Sequence, residues 1–166
     1  MAISESEVPQ LLLGAFPRAQ VALEEELQWG ASNYLVVAVF AREAINAAKE
    51  GDEIGLASLF QVVERLFIEG GQATQDLAGA GLLERLQNHA IQQALDDEFE
   101  PDVFLKWLGP ASMEAWKELL TGFKGSPTSL ADCVEMLRGF RDTQSLTKRE
   151  LQQEARIARR RNRKRG

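Results

Sequence analysis

Three glutamates, Glu43, Glu64 and Glu84, stand 21 and 20 residues apart, each mid-way along a stretch of helical apolar spacing. Carboxylates carried inward by successive helices are the raw material of a carboxylate-bridged di-metal site. Such a site also takes a Glu-x-x-His from each of two helices. His89 is the sole histidine and lies five residues after Glu84, off its face. No metal is therefore expected. The carboxylates are expected instead to cap or brace neighbouring helices, pairing with Arg42, Arg65 or Arg85. Covalent catalysis lacks parts as well. Cys133 could pair with His89, but nothing around them supplies an oxyanion hole or a third orienting group. Gly79-x-Gly81 lies inside a helical pattern with no strand before it, so it is not a phosphate loop. The chain is read as non-enzymatic and without a cofactor. Cys133, a lone thiol on an apolar helix face, is expected in the core. A single cysteine excludes an intrachain disulfide and fits a reducing cytoplasm.

The elements that must position these residues follow from apolar residues recurring at three and four. Residues 1–7 are expected to fray. One helix ends near Phe16 and another starts at Pro17, because proline cannot continue the first. Leu12, Leu13, Phe16, Val21, Leu23 and Leu27 are the apolar positions of this stretch. A helix over Asn33 to Glu50 carries Leu35, Val36, Val39, Phe40, Ala44, Ile45 and Ala48, with Ser32 or Asn33 as its cap. Gly51 stops it and Asp52 caps the next, which runs through Ile54, Leu56, Leu59, Phe60, Val63, Leu66 and Phe67 to Glu69. Gly70-Gly71 separates this from a helix over Gln72 to Ala94, with Leu77, Ala80, Leu83, Leu86, Ala90 and Ile91 inward. Pro101 opens a short helix through Leu108. Ala111 to Phe123 follows, then a turn at 125–129 and a helix through Leu130, Cys133, Val134, Leu137 and Phe140. Thr147 to about Arg161 forms a last helical segment with a thin stripe of Leu151, Ala155 and Ala158. No stretch alternates with period two. The expected fold is all-α, a multi-helix bundle with short HEAT-like antiparallel helical hairpins, since a period near 20 is one helix plus its turn.

Charge divides the chain in two. The net charge is −6, yet residues 146–166 hold nine basic and two acidic residues, a net of +7. Residues 1–145 hold ten basic and 23 acidic, a net of −13. We read 1–145 as an acidic helical domain and 146–166 as a basic helix or tail. An acidic body attracts basic partners and repels nucleic acid, and the tail does the reverse. The longest apolar run, Tyr34 to Ala41, is far short of the roughly 20 residues of a spanning helix. The first residues carry acid where a secretory signal carries base. No membrane association is expected, and the location is read as cytoplasmic. Trp107 and Trp116 flank Leu108-Gly109-Pro110 and are expected to pack, whereas Trp29, beside Gly30, is the indole expected in solvent.

The pattern Phe60-x-x-Val63-Glu64-x-Leu66, then Gly70, then Leu83-Glu84-x-Leu86, then Leu108-Gly109-Pro110-x-Ser112-x-x-x-Trp116 resembles a family of small bacterial all-helical domains often found near toxin genes. It spans about Ala41 to Leu120. The sequence departs from that family at Gly71, where an acid is expected, and at Ala111, where Glu is expected. The resemblance implies an immunity protein that binds a cognate bacterial toxin. The expected mechanism is an acidic surface covering a basic active-site or substrate cleft, with charge speeding association and an aromatic centre holding the complex. The acids expected to bind are Asp96, Asp97, Glu98 and Glu100, clustered on one turn, with Trp107 nearby. Two alternatives stand beside this reading. One is a nucleic-acid-associated accessory protein using Arg156, Arg159, Arg160, Arg161, Arg163, Lys164 and Arg165; without interleaved aromatics its binding would be backbone-driven and salt-sensitive. The other is a non-catalytic scaffolding module. The tail could also be a solvated end, or dock on the acidic body of its own or a neighbouring chain.

Overall fold

The computed structural model describes the backbone of residues 2–163 and the side chains of residues 2–145 and 147–150. Among these the chain is an all-α bundle. The helices are α1 (Val8–Ala15), α2 (Gln20–Gln28), α3 (Asn33–Glu50), α4 (Glu53–Glu69), α5 (Gln72–Asp76), α6 (Glu84–Asp96), α7 (Pro110–Thr121) and α8 (Leu130–Arg163). A π-helical segment, Leu77–Leu83, joins α5 directly to α6, and 3-10 turns cover Pro17–Ala19 and Val103–Trp107. Helix α3 is central, packing against α1, α2, α4, the π segment and α6. Phe16, Phe40, Phe60, Phe104 and Trp116 are fully buried and fill the space between helices.

Local chemistry sets the α3–α4 hairpin. Gly51 takes a left-handed conformation (φ 74°) that ends α3, which a side chain would disfavour. Asp52 Oδ1 then accepts the Gly55 N–H at 2.9 Å and caps α4. The π segment has a tertiary cause. Gly81, Leu82 and Leu83 are buried in succession where the segment packs against α3. Gly81 sits against α3 so closely that a Cβ there would lie 2.7 Å from Val37 Cγ2. The inserted residue rotates the helix phase. Ala80, expected inward, is exposed, while Leu77, Leu83, Leu86, Ala90 and Ile91 stay buried.

Several apolar residues depart from the sequence reading for one reason, that a periodic stripe is wider than the surface available to cover it. Val21 (69% exposed) and Leu27 sit outside, because α2 buries only Leu23. Leu35 and Ile54, in the first turns of α3 and α4, also face solvent, as do Leu137 and Phe140 on α8. Residues 2–7 are docked, not frayed. The Ile3 N–H donates to the Glu69 carbonyl at 3.0 Å, and the buried Thr74 hydroxyl donates to the Ile3 carbonyl at 2.9 Å. Pro101 is buried in a turn, and the short helix after it is a 3-10 turn beginning at Val103. One continuous helix, α8, runs from Leu130 across Leu146 to Arg163, where the sequence suggested two segments.

Helices α7 and α8 are both started by carboxylates from distant parts of the chain. Gly109 and Pro110 open α7, and Glu64 on α4 reaches its first turn. The Ala111 N–H donates to Glu64 Oε1 at 2.9 Å; the Ser112 N–H and hydroxyl donate to Oε2 at 2.8 and 2.6 Å. Ser112 Oγ in turn accepts the Gly109 N–H at 3.0 Å. A Cβ at 109 would overlap the Glu64 carboxyl, so any side chain there would push that carboxylate off the cap. The expected arginine partners are absent from this arrangement: Arg65 pairs with Glu69 at 2.8 Å instead. Asp102 repeats the device, accepting the N–H groups of Leu130 and Ala131 at 2.9 and 3.0 Å. A carboxylate on a helix N-terminus satisfies open donors and meets the positive end of the dipole.

Burial pushes the Glu64 carboxyl up, but the Ser112 hydroxyl and the amides of Ser112 and Ala111 outweigh it and hold the group below the usual carboxylate range. A carboxylate depressed in the folded state contributes stability that is complete above its unfolded value, about 4.5, and is lost as pH falls through the folded value. Glu64→Gln is expected to cost about 2 kcal/mol at neutral pH by denaturant unfolding. The gap to wild type should narrow below about pH 4; a gap constant down to pH 3 would refute the charged cap. Asp102→Ala is expected to cost about 1 kcal/mol and to speed hydrogen exchange at Leu130 and Ala131 ahead of the remainder of the bundle. Uniform acceleration across all helices would contradict a local cap.

Candidate functional site

An open groove of about 630 Å³ runs between α5 and the π segment on one side and α7 on the other. Its α7 wall is Ala111, Glu114, Ala115, Glu118 and Leu119, the flank of a helix whose opposite face buries Ser112, Trp116 and Leu120. The facing wall is Gln72, Gln75, Asp76, Gly79 and Ala80, with Tyr34 and Phe67 completing the lining. Short residues on both walls, Gly79, Ala80, Ala111 and Ala115, keep part of it open. A Cβ added at Gly79 would meet no atom within 4 Å, and the π segment has turned Ala80 outward into the opening. Three carboxylates, Asp76, Glu114 and Glu118, stand on its walls, and among the described residues no lysine or arginine lines it. Asp76 accepts a hydrogen bond from the Gln72 side chain at 2.7 Å and keeps its charge unopposed. Sequence inspection missed this groove. The available signal was the pairing of small residues with Glu114 and Glu118 at i, i+4, a spacing that puts both carboxylates on one helix face.

The acidic turn has a different character. Asp96 accepts from Gln92 at the end of α6 and faces Arg141 at 3.8 Å; Asp97 accepts from Gln93 at 2.9 Å and faces Lys49 at 3.6 Å. Both are well exposed, so these pairs are screened and worth little in stability, yet each sets a cation beside its acid. Glu98 is exposed, and Glu100 accepts the Asp102 N–H at 3.2 Å. Trp107 is half-buried. It stacks on Phe60 (6.2 Å between centroids, 13° between planes), touches Phe104, and carries the Lys106 ammonium 4.3 Å over its ring. Phe99, on the acidic turn, reaches the same cluster through Phe104 at 6.3 Å. Trp107 is thus partly used as packing. Trp29, in contrast, is 86% exposed.

The three spaced glutamates serve three separate ends. Glu64 caps α7. Glu43 lies beside Arg18 at 3.9 Å and Arg42 at 4.0 Å, where Arg18 also bridges Glu50 and Asp52. Glu84 is exposed. Among the described residues no group of three His, Cys, Asp or Glu side chains is arranged to hold a metal ion. Cys133 is buried, and burial, then the charges of Asp102 and Asp132, push its thiol up, away from nucleophilic use. His89 borders a small polar pocket with Arg42, Asn46, Gln92 and Gln93. Burial lowers its pKa, as do Arg42 and Arg85. The side chains of Arg156, Arg159, Arg160, Arg161 and Arg163 lie outside the described side chains, although their backbone is part of α8, and Lys164 and Arg165 lie outside the described residues. No helix among the described residues is long and apolar enough to cross a membrane.

The family model described as Domain of unknown function (DUF7674) matches residues 9–124. No curated protein and no solved structure matches the chain. The matched span runs from the second residue of α1 through α7, takes in the Glu64–Ser112 cap and the acidic groove, and stops short of α8. With well over half of its length matched, the chain belongs to the family of the domain of unknown function DUF7674.

Proposed function

We propose that this protein is a non-catalytic binding protein whose acidic helical surface engages a basic protein partner. Its finer form is an immunity protein that covers the basic cleft of a cognate toxin. The carrying observation is the groove between the π segment and α7: it has the concave form of a docking site, and Asp76, Glu114 and Glu118 stand in it without a lining cation. An acid already paired inside its own chain gives up that pair before it can meet a partner, so unopposed carboxylates contribute more to association. This moves the expected contact surface from Asp96, Asp97, Glu98 and Glu100 to the groove, which none of those four residues lines. The toxin reading takes its support from the sequence resemblance, and from the fact that a cleft acting on nucleic acid or nucleotides is basic.

Co-expression with the protein encoded by the adjacent gene tests both levels. Rescue of growth and a copurifying complex are expected. Glu114→Lys with Glu118→Lys should weaken the complex at least roughly tenfold, a change of about 1.4 kcal/mol or more, and should abolish rescue. Reversal of Glu98 and Glu100 should cost less. A basic partner that binds the double variant as tightly as wild type would remove the groove from the interface. Absence of both rescue and complex would remove the immunity reading.

A further inference from the structure

Two complementary charged surfaces lie on this chain where they cannot meet. Val134 is the last buried residue of α8 among those described; residues 135–145 and 147–150 are all exposed. The helix nevertheless continues unbroken to Arg163. What holds its base is local: Leu130, Cys133 and Val134 pack inward, Arg138 donates to the Ala94 carbonyl at the end of α6, and Arg141 faces Asp96. At about 1.5 Å per residue, Arg156 lies ~33 Å further along the axis than Val134. No proline follows Pro127, and helices without a proline or an inserted break bend only gently. The basic end of α8 therefore cannot fold back onto its own body. With a screening length of about 8 Å at physiological salt, it is also electrostatically uncoupled from the −13 of that body. The groove, for its part, offers Asp76, Glu114 and Glu118 on walls that also carry Gly79, Ala80 and Ala115. Small residues of this kind let a helix about 10 Å across approach closely.

We propose that the groove of one copy takes the basic end of α8 from a second copy, so that two chains associate by reciprocal exchange. The contact uses the same two surfaces in both directions, which makes it isologous and closes it at two chains. The occupant is the end of α8, which carries five basic residues from Arg156 to Arg163, and the receptor is an acidic groove without a lining cation among the described residues. α8 lies outside the span shared with the family, so self-association is a property of this chain added to the common domain. The proposal shares the groove with the basic partner described above but needs no such partner, and the two readings fail independently. If both hold, the exchanged helix occupies the site until the partner displaces it.

Sedimentation equilibrium of the full chain over a wide dilution series is the test. The expected result is a reversible dimer at physiological salt that weakens at least roughly tenfold in 1 M salt, where the screening length falls to about 3 Å. E114R with E118R, and separately R156E with R160E, should each give a monomer, and the chain carrying both pairs should dimerise again. A80W blocks the groove without changing charge and should also give a monomer; helical circular dichroism establishes that each variant is folded. A wild type monomeric at every concentration overturns the proposal, as does a dimer that survives both charge reversals. A monomer that binds a short RNA equally well with and without E114R and E118R also overturns it, and would assign the basic helix to nucleic acid instead.

Discussion

The architecture depends on a single buried rule, that the open N–H groups at a helix start must find acceptors. Two of the helices find theirs far away in sequence. Glu64 leaves α4 to receive three donors from the first turn of α7, and Asp102 receives two from α8. Each carboxylate does the work of a local cap while tying a helix start to a distant part of the chain, so these contacts help to set where α7 and α8 begin. Gly109 is the steric condition of the first cap, and the fully buried Ser112 relays it to the turn behind. A set of residues that reads as scattered along the chain, Glu64, Gly109 and Ser112, is one contact in space.

That placement of α7 produces the groove. Helix α7 turns Ser112, Trp116 and Leu120 inward, which leaves Ala111, Glu114, Ala115 and Glu118 on the flank facing α5. The π segment forms the other wall, and its extra residue presents Ala80 and Gly79 there instead of a bulky side chain. A π turn is costlier than an α turn and is held here by Gly81 seated against Val37. Such segments recur at functional sites because they offset the helix phase locally. The result is a concave acidic surface. It is distinct from the acidic turn after α6, where Lys49 and Arg141 already stand beside Asp97 and Asp96.

Much of the fold was legible in the apolar periodicity. The bounds of α3, the Gly51 stop and the Asp52 cap follow from spacing and local chemistry, because each is decided within a few residues of chain. The exposed Trp29 and the buried Cys133 follow for the same reason. Periodicity could not tell how much of each stripe would find cover. Val21, Leu27, Leu35, Ile54, Leu137 and Phe140 have the right type and spacing and still face solvent. Nor could it place the π turn, since one inserted residue is set by the fit of Gly81 against α3.

Sequence by itself determined that the protein is all-helical, where most helices begin and end, and that it carries opposite charge on its body and its last helix. These depend on neighbours three or four residues apart and on composition, which are present in the linear chain. Tertiary structure alone decided what the glutamates do. Glu43, Glu64 and Glu84 are equivalent by spacing, yet one braces Arg18, one caps α7 and one lies in solvent. It alone decided that the unopposed acids are Asp76, Glu114 and Glu118, because whether a charge is opposed depends on what stands a few ångströms away across a groove, and that distance is unrelated to separation along the chain.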